Sequence, residues 1–106
     1  MAEAADHYLW LVQLDIPEEL EAEFNHIYDT EHAPAIAKVP GVIEVQRYVL
    51  ETPVAGMQKY ATTYRVTSPD LPQTPAWTAA SAKGQWKTKI SPHVVNARLS
   101  MFRAMP

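Results

Sequence analysis

The sequence predicts an α+β fold of the ferredoxin-like type: β-α-β-β-α-β in order, with four antiparallel strands and two helices on one face. Three observations predict it. Four stretches, at residues 7–16, 42–50, 59–67 and 96–103, alternate or run apolar as strands do. A helical apolar period lies between the first and second of these, and a shorter one between the third and fourth. Pro- and Gly-containing breakers separate the units. The 106 residues suit one domain, residues 1–106, with no repeat or internal boundary.

Residues 7–16 form a dense apolar run in which Tyr8, Trp10, Val12 and Leu14 share one face and His7, Leu9, Leu11 and Gln13 the other. Asp15 can cap the next element. Pro17 suits a first helical turn, with Glu18 and Glu19 at its positive end. At about 100° per residue, Leu20, Phe24, Ile27 and Tyr28 gather on one side of this helix. Glu31 falls inside the same arc, His32 at its Tyr28 edge, and His26 points away. Pro34 should kink or restart the helix, and Lys38-Val-Pro-Gly41 should end it. The β-branched run Val42–Leu50 and the alternating run Lys59–Thr67 pair as a hairpin around a loop containing Thr52–Gly56. Ser68–Pro75 is too proline-rich for a regular helix. Ala76–Gly84 reads as a short helix, residues 85–93 as irregular or a further turn, and Asn96–Arg103 as the last strand. The strands are apolar on both faces, so the face without helices calls for a second sheet, and a homodimer is expected.

Composition narrows the function. A net charge of −3 and scattered cations, only loosely grouped at Lys83, Lys87 and Lys89, do not favour nucleic acid. Cysteine is absent, which removes disulfides, thiol nucleophiles and thiolate metal sites. Met1–Asp6 is acidic and lacks the basic and apolar parts of a signal peptide. No apolar run approaches the ~18 residues of a membrane span. A soluble, cytoplasmic protein is expected, without membrane or nucleic-acid partners.

The run Phe24-x3-Tyr28-Asp-x-Glu-His32-Ala-Pro34, then Pro40-Gly41-Val and Arg47-Tyr48, resembles the dimeric α/β-barrel superfamily, above all its EthD-like members. The resemblance extends to Lys59-Tyr60, the tryptophan-bearing second helix and Ser91-Pro-His93, and so covers most of the chain. It implies a homodimer and a cofactor-poor pocket between sheet and helices, with His32 at or near it. Members of the superfamily include polyketide cyclases, muconolactone isomerase-like enzymes, small monooxygenases and haem-degrading enzymes. A shared fold does not fix which chemistry a member performs.

The residues themselves suggest acid–base work. Tyr28 and Asp29 precede His32 by four and three residues, so either can touch the imidazole, fix its tautomer and leave the other nitrogen free as base or acid. Alternatively, His32 caps a carbonyl freed at Pro34. Glu31 on an apolar arc would be desolvated and its pKa raised, unless the kink turns it to solvent. Arg47 could recognise a carboxylate or phenolate, or pair with an acid at the sheet edge. Tyr64, Trp77 and Trp86 could wall an aromatic pocket, with His93 near its mouth. His26, Asp29, Glu31, His32 and His93 lack metal-ligand spacing, so neither a metal nor another cofactor is expected. The catalytic candidates are His32, Tyr28 and Asp29; the substrate-binding candidates are Arg47, Tyr64, Trp77, Trp86, His93 and Glu31. The expected activity is cofactor-independent cyclisation, dehydration or isomerisation of an aromatic or polyketide-like carbonyl compound. The alternatives are a non-catalytic small-molecule-binding accessory protein and a cofactor-free or haem-type small monooxygenase.

Overall fold

The computed structural model describes residues 6–106; the stretch Met1–Ala5, expected from its acidity to be no part of a leader, lies outside them. Strands β1 (Tyr8–Asp15), β2 (Val42–Val49), β3 (Tyr60–Val66) and β4 (Val95–Arg103) form one antiparallel sheet in the order β2-β3-β1-β4. The expected β2–β3 hairpin is present, with Val45 opposite Tyr64 and Arg47 opposite Thr62. Central β3 shows the period of a half-buried strand: Tyr60, Thr62, Tyr64 and Val66 are all buried under the helices. Through the pairing register, Trp10 stands between Tyr64 and Met101 on that face. The opposite face carries Leu9, Leu11, Tyr48 and Phe102 interspersed with Gln13, Gln46, Thr63 and Ser100, so it is more mixed than two apolar faces would give.

The first helical arm opens with a 3-10 turn at Glu18–Leu20 and continues as α1 (Glu21–Ile27), a π-helical turn at Tyr28–His32 and α2 (Ala33–Ala37). The wide turn closes where the Ala33 N–H donates to the Tyr28 carbonyl, five residues back. It answers to Pro34, whose ring must clear the carbonyl four residues earlier and which has no N–H to give. The inward residues Phe24, Tyr28, His32 and Ile36 recur every fourth position. A regular α-helix would carry such a series off the sheet by about 40° per step, and the extra residue in the wide turn takes up that drift.

The second arm comprises a 3-10 turn at Leu71–Gln73, α3 (Pro75–Ser81), a second π-helical turn at Trp86–Ile90 and a 3-10 turn at Ser91–His93. Thr74 caps α3, its Oγ1 accepting from the Trp77 N–H at 3.4 Å. The second wide turn closes from the Ser91 N–H to the Trp86 carbonyl and again precedes a proline, Pro92. Gly84 joins α3 to this turn with φ +71°, and a Cβ there would overlap the Glu31 carboxylate.

Two apolar clusters form the core. One gathers Leu14, Phe24, Ile27, Tyr28, Tyr60 and Ile90. The other gathers Ile36, Val39, Tyr64, Val66, Trp77 and Ala80. The hydroxyls of Tyr28 and Tyr64 meet in a hydrogen bond that ties one cluster to the other.

Candidate functional site

A cavity of about 660 Å³ opens between the sheet and the two helical arms, within the range of small-molecule sites. Strand β1 contributes Trp10, Val12 and Leu14 as its floor, the first arm Tyr28, His32 and Ile36, β3 Tyr64, and the second arm Trp77 and Trp86. Among the described residues, Lys87, at the second wide turn, is the only Lys, Arg, Asp or Glu in this lining. Leu99 of the edge strand β4 also lines it and remains largely exposed, which places an opening on that side.

His32 is buried, and its imidazole stacks on the Trp86 indole with 4.3 Å between ring centroids and 21° between planes. The Tyr28 ring meets it edge-on at 4.9 Å. Nδ1 is buried without a hydrogen-bond partner. Burial lowers the His32 pKa from its ordinary 6.5 to about 4, so the ring is neutral at pH 7. A neutral imidazole has one donor and one acceptor nitrogen, so it can hydrogen-bond a ligand or take up a proton if negative charge develops beside it.

Tyr28 and Tyr64 are both almost completely buried. Burial raises the Tyr28 pKa and pushes that of Tyr64 well above the usual phenol value, so both are neutral hydroxyls at pH 7. Behind Tyr28, the Arg47 guanidinium carbon lies 4.5 Å from the Tyr28 ring centroid and 5.0 Å from that of Phe24. Its terminal nitrogens donate to Asp29 Oδ1 and Asn25 Oδ1, each at 2.8 Å, while its buried Nε has no partner.

Five of the nine candidate residues therefore meet at one cavity: His32, Tyr28, Tyr64, Trp77 and Trp86. Four do not line it. Asp29 leaves the imidazole and pairs with Arg47, its side chain 62% exposed. Arg47 is occupied by that pair and by the aromatic faces, which holds it outside the cavity. Glu31 is drawn sideways, accepting from the Gln85 backbone N–H at 2.7 Å and Gln85 Nε2 at 2.9 Å. Those bonds hold its carboxyl below the usual range, as suits the alternative in which the kink turns Glu31 off the apolar arc rather than the desolvated carboxyl. His93 is exposed on its 3-10 turn. His32 Nδ1 caps no carbonyl at Pro34. Trp10, Ile36 and Leu99 were not among the candidates. Trp10 was discoverable, since it lies on the same strand face as Tyr8, Val12 and Leu14.

Among the described residues, no three His, Asp or Glu side chains cluster so as to hold a metal ion. The polar side chains of the lining are the His32 imidazole, the Tyr28 and Tyr64 phenols, the Thr78, Ser81 and Ser91 hydroxyls, three indoles and the Lys87 ammonium.

No family model matches the chain, and no curated protein matches its sequence. Solved structures share its fold. An EthD-family protein from Bacillus halodurans superposes with a TM-score of 0.67 at 17% identity, over 93% of this chain and 99% of its own. A dimeric ferredoxin-like protein of unknown function from Thermobifida fusca gives 0.67 at 12% identity, over 98% and 95%. The haem degrader MhuD from Mycobacterium tuberculosis, with two haems bound in its active site, gives 0.65 at 21% identity, over 93% and 96%. At these identities the likeness is one of fold, and it agrees with the ferredoxin-like, EthD-like architecture expected from the sequence.

Proposed function

We propose that this protein is a small homodimeric enzyme that binds an aromatic or polyketide-type carbonyl compound in the cavity and moves a proton at His32. The observation that carries the reading is the neutral, buried imidazole in the wall of a predominantly apolar cavity. An enolisable carbonyl compound has a weakly acidic C–H whose proton a nearby neutral imidazole can accept, leaving the electron pair in the enolate. As the proton leaves, negative charge grows on the carbonyl oxygen. That charge stabilises the imidazolium and makes His32 a stronger base as the reaction proceeds. The Trp86 stack fixes the plane of the ring, and the indole and aliphatic walls keep water from quenching the enolate. The same enolate serves cyclisation, dehydration or isomerisation, so this chemistry fits all three without a metal or organic cofactor.

The dimer belongs to this reading. Tyr48 and Phe102, 55% and 51% exposed, stand on the helix-free face, and a second sheet would cover them. A chain without cysteine and without a membrane-crossing helix among its described residues suits a reducing cytoplasm.

The test is ligand-soaked crystals and turnover with hydroxyaromatic acids, enolisable ketones and lactones. Ligand density beside His32 and a loss of about 10²–10⁴-fold in rate for His32→Ala support the reading. A variant that binds with little change would identify a non-catalytic binding protein instead.

A second reading is favoured by the same cavity. An imidazole in an indole-lined wall, with an ammonium in the same lining, also fits a haem: His32 would face the iron and Lys87 a propionate. Bound haem would supply oxygen activation. A Soret band on titration with haem that is lost in His32→Ala supports this reading.

A further inference from the structure

We infer that Tyr28 and Tyr64 form a two-hydroxyl anchor for an anionic oxygen, a phenolate or enolate, and that Arg47 is a positioning residue acting on it through the Tyr28 ring. The inference rests on the cavity being the ligand site and names the substrate class that site takes.

Both phenols line the cavity and their hydroxyls are bonded to each other. Two hydroxyls own two hydrogens, and one of these lies between the oxygens. The other is left to donate outward. In a neutral apolar wall, such a donor has most to gain from an anion, because charge-assisted hydrogen bonds are shorter and about twice as strong as neutral ones.

Arg47 supplies the positive charge without entering the cavity. Its guanidinium lies over the faces of Tyr28 and Phe24 and is kept there by Asn25 and Asp29. A cation over the ring face draws electron density from the phenol and makes its O–H a better donor. Asp29 offsets little of this effect, since its side chain is mostly in water. The other titratable or charged groups around the pair are His32, edge-on to Tyr28, Lys87 in the same cavity lining, and Tyr60, which donates to Glu21 at 2.5 Å beside Lys59. None of these places a negative charge against the Tyr28 hydroxyl. An anion bound at the pair therefore meets two phenols, a neutral imidazole and a cation behind the ring, with the Lys87 ammonium elsewhere in the lining.

The probe is 4-nitrophenol, whose phenolate absorbs visibly, with nitrobenzene as its uncharged control. Wild-type protein is expected to bind both and to shift the ionisation of bound 4-nitrophenol to lower pH. Tyr28→Phe and Tyr64→Phe should each reduce the preference for 4-nitrophenolate over nitrobenzene by about tenfold or more. Arg47→Met should return the ionisation toward that of the free phenol while nitrobenzene binding is retained, and Arg47→Lys should recover part of the shift. If Arg47 were only structural, Arg47→Met would weaken both probes alike and leave the shift in place. Equal binding of the two probes with unshifted ionisation overturns the anchor but leaves the cavity as a ligand site. If neither probe binds, the cavity reading falls and the anchor with it.

Discussion

The clearest test of the site in the absence of a substrate is the cost of protonating His32. In the folded protein its pKa is about 4, against 6.5 for an unburied imidazole. Between those values the unfolded chain holds a proton that the native state refuses, so stability falls as pH falls. The contribution is fully present above pH 6.5 and is lost progressively as pH drops toward 4. Linkage gives a loss of about 2 kcal/mol between pH 8 and pH 5, and about 3 kcal/mol once both states are protonated. For a domain of this size the smaller figure corresponds to roughly 10 °C in Tm. Carboxylates also titrate in this range, so the quantity to measure is a difference. Wild type and His32→Gln are unfolded in urea at fixed protein concentration from pH 8 to pH 4.5, and their free energies are subtracted at each pH. The wild type should lose about 2 kcal/mol more than the variant by pH 5. Parallel curves would mean that the native imidazole titrates normally, and the neutral, desolvated base on which the proposed chemistry depends would be refuted.

The same contacts set three further outcomes. Trp86→Ala removes the indole stacked on His32, so the His32 pKa should climb from about 4 back toward 6.5, read by NMR titration of the ring protons. Gly84→Ala forces an alanine into the left-handed region at about 1–2 kcal/mol and pushes the new methyl into Glu31. Its measured loss should shrink in a Glu31→Ala background, where that overlap is gone. Phe102→Asp places a charge on the helix-free face and should convert a dimer to monomer in light scattering, with the far-UV spectrum unchanged.

Much of this architecture was legible in the sequence because strands and breakers act locally. The four strands fall within about two residues of their expected ends, since alternation of side chains across a pleat is a property of the chain itself. The inward face of β1 could be read for the same reason. The helix was harder. A regular 100° wheel centres Glu31 on the apolar arc and leaves His32 at the edge. The wide turn before Pro34 reverses that, turning His32 inward and Glu31 toward Gln85. Proline announced an irregularity; its sequence could not state which way the chain would absorb it. The fate of Arg47 depended on three aromatic faces and two oxygen acceptors converging from elsewhere in the fold, and no spacing in β2 encodes that. Glu31 likewise found its donors 54 positions away along the chain.

The paired wide turns have a consequence for how such a site could be altered. Each holds one residue more than an ordinary helical turn, and each ends two positions before a proline, which has no N–H to give to a helical hydrogen bond. His32 closes one and Trp86 opens the other, and their rings stack across the gap. Each turn is thus a reservoir of a single amino acid, set where the two arms meet. Deleting one residue there would rotate the downstream segment by about a quarter turn and change which side chains look into the cavity, with the four-stranded platform left as it is.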